Sequence, residues 1–559
     1  MKTGSVLAVV TPLNGEFGSI AAGGAEALGR MDPYELLGAL RDIANPWLLA
    51  REALLLLVEW TRIAAGIGDR QLPEKDRRFS DPTWRDNPLY NRWARAYLAW
   101  CESVDRLVDD ADVDQRERSR ARYATNILTA LAAPTNLLPG NPAALKRAFE
   151  TGGVSLLRGA RNFVNDLIFN GGMPTQVDTS GFTVGENLAA TAGAVVHREE
   201  MFELLQYAPT TPTVYSRPLL MVPPQVNKHY FLDLAPGRSL VEYTIAQGIL
   251  FFTIVWRNPR REHGGWTMAD YVAAQLRALD IVREISGAED VNVLGACASG
   301  LTTALMLGYL ASSGRSGVHA AAFMITMIDT SEPSLIQALS TDRVRRQLSK
   351  DAAAKRIYDK TMASNFAWMR PNDLVFNYVV NNWLMGDDPP ALDILAWNAD
   401  STNSAAAFDR DLIELYATNA AATPGALTVL DTPIDLSTVD CDNYIVAGKT
   451  DHITPWKPCY LTSHLLGGPS EVVVTSTGHI QTIVNPPGKP RASYHVGPAS
   501  GPDADAWLAG ATRHDGSWWP HWAQWLTARS GELVPAPESL GSPDHPAGDP
   551  APGRYVLEK

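Results

Sequence analysis

At 559 residues the chain is long enough to bury a sizeable core and to hold more than one structural unit. Its 45% hydrophobic and 19% charged residues are ordinary for a globular enzyme. The formal net charge of -13 leaves no broad basic field to meet phosphates, which argues against a nucleic-acid binder; an anionic substrate would need a local basic patch.

The N-terminal stretch "MKTGSVLAVVTPLNGEFGSI" lacks a basic segment followed by a long apolar one, so no secretory signal is expected. The run "PWLLAREALLLLVEWTRIAAG" is the most apolar helix candidate. Arg51, Glu52, Glu59 and Arg62 interrupt it, so it should not span a bilayer. Packing as an amphipathic helix is one reading, and docking on an apolar surface such as lipid or polymer is the other. Residues 1–184 read as a mainly helical N-terminal domain broken by Pro/Asn-rich stretches, and 185–559 as a second domain. From about Arg217, short Val/Ile-rich runs alternate with helical segments: "RPLLMVPP", "ILFFTIVWR", "VNVLGAC", "AAFMITMID", "DNYIVAG" and "SEVVVTSTG". Apolar runs of this kind are strands covered on both faces of a parallel sheet, giving an α/β fold. A mostly helical insertion, about 330–435, is too long for a simple crossover and is expected to cap a site. The Pro/Gly-rich end, "PESLGSPDHPAGDPAPGRYVLEK", is expected to be extended or weakly ordered.

Four cysteines, Cys101, Cys297, Cys441 and Cys459, form no C-x-x-C pair and fit neither a zinc site nor a disulfide framework. No metal site is expected, and a reducing cytosol is the natural compartment. Cys297 differs from the others. It lies between an apolar run and the helical "LTTALMLGYL", with Gly295 and Ser299 two positions either side. That is the layout of a nucleophile elbow, where larger side chains would clash with neighbouring strands. Amides at the start of the following helix would favour the thiolate. A buried packing cysteine remains the plain alternative.

On an α/β-hydrolase fold the order is nucleophile, acid, histidine. Asp451 follows "DNYIVAG" and His479 follows "SEVVVTSTG", so both sit at strand ends in that order. His452 competes as base but adjoins Asp451, and adjacent side chains diverge; Asp442 is a weaker acid because it precedes its strand. His229, after "VPPQVNK", stands out among the remaining histidines. The oxyanion hole should use the backbone N–H of Ala298 and one from the loop after "RPLLMV". Pro223 and Pro224 have no N–H, which leaves Gln225 or, as the assigned donor, Val226.

These residues resemble a polyhydroxyalkanoate synthase. "GACASG" is similar to the family's G-x-C-x-G-G box, with Ser299 where the family usually has glycine. "RRFSDPTW", "RPLLMVPPQVNKHYFLDL", "IVWRNP", "WMRPNDLVFNYVVNNWLMG", "WNADSTN", "AGKTDHITPW", "TGHIQTIVNPPG", "GSWWPHWAQWL" and "APGRYV" follow in the family's order. The length is similar to the single-subunit kind. "GAC", "SDPTW", "GGMPTQVD" and "HIQTIVNPPG" look most like the Pseudomonas-type enzymes, which favour medium-chain substrates.

The resemblance implies an acyltransferase with no cofactor. Cys297 would attack (R)-3-hydroxyacyl-CoA, His479 would take the thiol proton, and CoA would leave as product. Asp451 would activate the substrate hydroxyl, orient His479, or do both. Trp397, Arg370 and His452 are expected to bind substrate, Arg370 through the CoA phosphates. Trp368, Trp383 and Trp397 would shield the site from water or form the core of the cap. The resemblance further implies a homodimer in the cytoplasm at the surface of polyester granules, with no transmembrane segment. Two alternatives stay open: a cysteine-dependent esterase or polyester hydrolase on the same fold, and a non-catalytic granule-associated protein.

Overall fold

Three Asn-Pro pairs start helices in the N-terminal region. The side chains of Asn45, Asn87 and Asn141 each accept first-turn N–H groups, and the proline that follows occupies a position whose N–H would go unused. The computed structural model describes residues 33–67, 70–332, 334–359 and 367–559. The chain divides into two compact units, Met1–Asp178 with Thr361–Ala391, and Thr179–Lys360 with Leu392–Lys559. The N-terminal stretch read for a secretory signal lies outside the described residues.

The first unit holds helices α1 (Pro33–Asp42), α2 (Pro46–Ala64), α3 (Pro88–Asp109), α4 (Gln115–Leu131), α5 (Pro142–Glu150) and α6 (Val154–Phe169). The apolar run of the sequence is α2. It buries Glu52, which Arg106 and Ser103 of α3 answer, and leaves Trp47, Leu54, Leu57 and Val58 exposed. Part of the expected cap, Thr361–Ala391, belongs to this unit rather than to the sheet. Of its π-helical turns, Val379–Leu384 packs along α6 and Asn372–Phe376 meets α4. A Cβ on Gly159 would lie 1.9 Å from the Trp383 carbonyl oxygen, and the Trp383 indole donates to buried Asp166 at 2.7 Å. Trp368 packs in a core cluster with Ala130 and Phe376. Both tryptophans are therefore packing residues of this unit.

The second unit is built on one sheet. Its strands are β1 (Gly193–Arg198), β2 (Phe202–Tyr207), β3 (Leu219–Val222), β4 (Phe251–Trp256), β5 (Val291–Ala296), β6 (Val318–Met324), β7 (Asp442–Gly448), β8 (Ser470–Thr475), β9 (Ser493–Pro498) and β10 (Thr512–Asp515). They lie in the order β1-β2-β4-β3-β5-β6-β7-β8-β9-β10. Strands β4, β3, β5, β6, β7 and β8 run parallel; β2 is antiparallel to both neighbours. This is the α/β-hydrolase fold. The helices that concern the site are α7 (Met268–Ser286), α8 (Ala298–Ser312), α9 (Ala406–Thr418), α10 (Trp456–Leu465) and α11 (His479–Ile483). β3, β4 and β5 are buried along their whole length, as apolar strands of a covered sheet must be.

The C-terminal segment corrects the expectation of weak order. Val195 N–H donates to Asp549 C=O at 2.8 Å, and Ala551 N–H to Gly193 C=O at 2.9 Å, so the segment pairs with edge strand β1. Buried Glu203 then accepts the Arg554 and Tyr555 N–H groups, each at 3.0 Å, and Lys228 Nζ donates to the carbonyls of Val556 and Glu558, each at 2.7 Å. Proline and glycine keep the segment out of regular structure, and backbone pairing with the sheet orders it.

Candidate active site

β5 ends at Ala296 and α8 begins at Ala298, so Cys297 alone makes the turn. Its φ of 54° lies in the left-handed region, a strained place for a residue with a side chain. The turn is tight on both sides. A Cβ on Gly295 would lie 2.8 Å from the Gly300 Cα, and one on Gly300 would lie 1.9 Å from Thr326 Oγ1. Cys297 N–H donates to Met324 C=O of β6 at 2.9 Å, which fixes the turn to the next strand. The Ala298 N–H belongs to the first turn of α8, whose amides have no intrahelical acceptor.

Asp451 lies just past β7. Its Oδ1 accepts N–H from Ile453 at 2.8 Å and Thr454 at 3.0 Å; its Oδ2 accepts the Thr454 hydroxyl at 2.9 Å and faces His479 Nδ1 at 2.7 Å. His479 opens α11 just past β8, and its ring lies within electrostatic reach of the Cys297 side chain. The three residues thus converge at the carboxyl ends of β5, β7 and β8. Burial pushes the Asp451 carboxyl up, but the His479 charge and hydrogen bond with the Thr454 and Ile453 amides overcome it and leave the group below its ordinary value. Burial likewise disfavours the charged imidazole, and the Asp451 carboxylate and Cys297 outweigh it, raising His479 to about 10.

The other expected residues fall as follows. Val226 is buried in the turn after β3, and the preceding Pro223 C=O accepts the Trp256 indole N–H at 2.7 Å. The Trp397 indole donates to Lys228 C=O at 2.9 Å and its ring lies 5.5 Å from Phe231, so it braces the segment that follows this turn. His452 is half-buried, and the imidazole that meets Asp451 is that of His479. Arg370 is half-exposed in the first unit and pairs with Asp373 one helical turn on. Asp442 pairs with Arg529 at the opposite end of β7. His229 is buried and neutral: burial, helped by Lys228, lowers it to about 3. Among the described residues no group of three or more His, Cys, Asp or Glu is gathered as a metal site.

Thr454 escaped the reading of the sequence, although a hydroxyl three residues beyond an aspartate is a turn signal. So did Tyr416 of α9, a buried phenol within electrostatic reach of Cys297; burial pushes it up, and Cys297 and Cys459 add to the shift. Cys459, buried in α10, donates its thiol to Thr454 C=O at 3.6 Å.

Residues 75–244 match the family described as poly-beta-hydroxybutyrate polymerase (PhaC) N-terminus. Over 490 residues the chain is 46% identical to poly(3-hydroxyalkanoate) polymerase 1 of Ectopseudomonas oleovorans, with 87% of each chain covered. The chain belongs to the poly(3-hydroxyalkanoate) polymerase family. It is also 42% identical to polymerase 2 of the same organism, over 94% of this chain and 95% of that one. Identity to the poly(3-hydroxyalkanoate) polymerase subunit PhaC of Cupriavidus necator is 37%, over 97% of this chain and 92% of that one. Within the family the chain therefore sides with the Pseudomonas type. The family's N-terminal model runs from before α3 into the sheet as far as the residues after β3.

Proposed function

We propose that this chain polymerises (R)-3-hydroxyacyl-CoA into polyhydroxyalkanoate through a covalent acyl-enzyme on Cys297. The observation that carries the reading is the convergence of Cys297, His479 and Asp451, with the sulfur on a strained turn, the imidazole within its electrostatic reach and Asp451 hydrogen-bonded to that imidazole. With its proton already held by the charged His479, the Cys297 sulfur attacks the thioester carbon, and the negative charge that develops on the carbonyl oxygen is met by the N–H groups of Ala298 and Val226. Collapse expels CoA, which takes the proton from His479. The hydroxyl of a second unit then attacks the acyl-enzyme, forms the ester and returns the thiol. Exchange between two thiols is nearly balanced, so loading does not fall into a sink.

The Asp451 side chain is fully buried and both its oxygens are already engaged. This favours orientation of His479 over direct contact with the substrate hydroxyl, and leaves His479 as the base for both steps. The reaction takes no cofactor, and CoA is a product. The partner we assign beyond the substrate is an apolar polyester surface in the cytoplasm. Its support is the exposed apolar face of the first unit, where Trp47, Leu157 and Phe169 are 69%, 73% and 83% exposed.

Purified chain given 3-hydroxyacyl-CoA of several acyl lengths tests the reading, with free CoA and polymer measured together. Insoluble polyester matching the CoA released is expected, and Cys297→Ala should abolish both. Soluble hydroxy acid in place of polymer would make the chain a hydrolase on the same fold, and polymer from Cys297→Ala would end the reading.

A further inference from the structure

The two proposed halves of the oxyanion hole come from neighbouring parallel strands. β5 leads through Ala296 to Cys297 and Ala298; β3 leads through Val222 to Pro223 and the turn that holds Val226. Val222 pairs with Gly295, so the strands part just beyond this register position. A fully buried hydroxyl stands in the gap. Ser299 Oγ accepts the Ala296 N–H at 2.9 Å, and its own proton has two acceptors, Val222 C=O at 2.6 Å and Ala296 C=O at 2.7 Å. One side chain on α8 thus joins the last residue of β5 to the last residue of β3.

A second tie runs parallel to the first. Gln225, in the turn after β3, donates its side-chain amide to Thr302 Oγ1 at 3.0 Å. Gln275 of α7 donates to the same oxygen at 2.6 Å, and Thr302 donates back to Ser299 C=O at 3.1 Å. Gln275 Oε1 accepts the Thr303 hydroxyl at 3.3 Å. Gln225, Gln275, Ser299, Thr302 and Thr303 are all buried. Buried polar groups impose geometry, because each loses its hydrogen bond if its partner moves.

We propose that Ser299 is a positioning residue for acyl transfer: its hydroxyl, with Gln225 and Thr302 as a second tie, sets the spacing between the Ala298 and Val226 amides. The inference rests on the proposed acyl-enzyme at Cys297. Loss of the hydroxyl leaves the Ala296 N–H and the Val222 C=O to re-pair directly, which draws the strand ends together and moves one amide relative to the other. The thiol and its imidazole are untouched by this change.

Two reactions of the same sulfur separate positioning from general damage. Acylation by 3-hydroxyacyl-CoA builds negative charge on a carbonyl oxygen and needs the amides. Alkylation by iodoacetamide transfers the sulfur to a saturated carbon with loss of iodide, and no oxyanion forms. In Ser299→Ala we expect first-turnover CoA release to slow by about tenfold, with KM within about twofold and alkylation of Cys297 unchanged. Gln225→Leu should show the same signature and carries the test should Ser299→Ala not fold. The combined variant should lose less than the product of the two, since both act on one spacing. Equal slowing of acylation and alkylation, or unchanged acylation in both variants, overturns the inference while leaving the acyl-enzyme intact. CoA release from Cys297→Ala would instead remove the reading beneath it.

Discussion

Asp451 and His479 hold opposite charges in a place that burial would otherwise keep neutral, and stability should show it. The folded imidazole is raised from 6.5 to about 10, so its contribution is whole below the unfolded value and drains away as pH climbs toward the folded one. The carboxyl is lowered from 3.8, so its contribution is whole above that value and disappears as acid protonates it in the folded state. Asp451→Asn should therefore lose most Tm relative to the parent between roughly pH 4 and 6.5, with the gap narrowing steadily toward pH 10. Thermal melts across that range check this, and a gap of constant size would refute the pairing. The triad was legible because each member follows an apolar run, in a fixed order along the chain. Thr454 was not. Its hydroxyl reaches both Asp451 and the ring of His479, 3.2 Å away, and the ring arrives from 25 residues further on.

At the level of the element, the turn at Cys297 is a packing problem solved by leaving out side chains. Gly300→Ala would set a methyl against Thr326, which is buried and β-branched and has little room to yield. The expected cost is about 1–3 kcal/mol of stability, read as a lower Tm or a lower denaturant midpoint. An unchanged midpoint would mean that the turn relaxes freely. Strands were legible where both faces are covered: "DNYIVAG" is β7 from Asp442 to Gly448. β2 was missed because Glu203 breaks its apolar pattern, and the charge is tolerated only because Arg198 and two distant amides surround it. β10 was missed because all its side chains are exposed and nothing marks an edge strand of that kind. The π-helical turns of the insertion have no local signature; the second depends on close passage of Trp383 over Gly159.

For the molecule as a whole, exposed large apolar side chains gather in the first unit. Among the described residues only Leu392, Leu533, Val534 and Leu557 lie outside it. Hydrophobic area of this kind marks a surface meant to be covered. Replacing Leu54 and Leu57 by glutamate should leave CoA release from soluble substrate within about twofold and cut the fraction of protein that sediments with polyester particles by about tenfold. If sedimentation with polymer holds while a dimer falls apart, the face joins two copies of the chain instead. The position of Thr361–Ala391 was not legible, since the residues that receive it stand some two hundred positions earlier. The C-terminal segment bears on the polyester surface proposed above. An open sheet margin is a template on which a neighbouring molecule can continue the ladder, and close lateral company makes that growth easier. By lying along β1, the chain's own tail occupies that margin, and its prolines offer the next molecule few hydrogen-bond donors. Copies of the chain brought side by side, as that proposal has them, would thereby stay separate catalysts rather than fuse into a fibrous sheet.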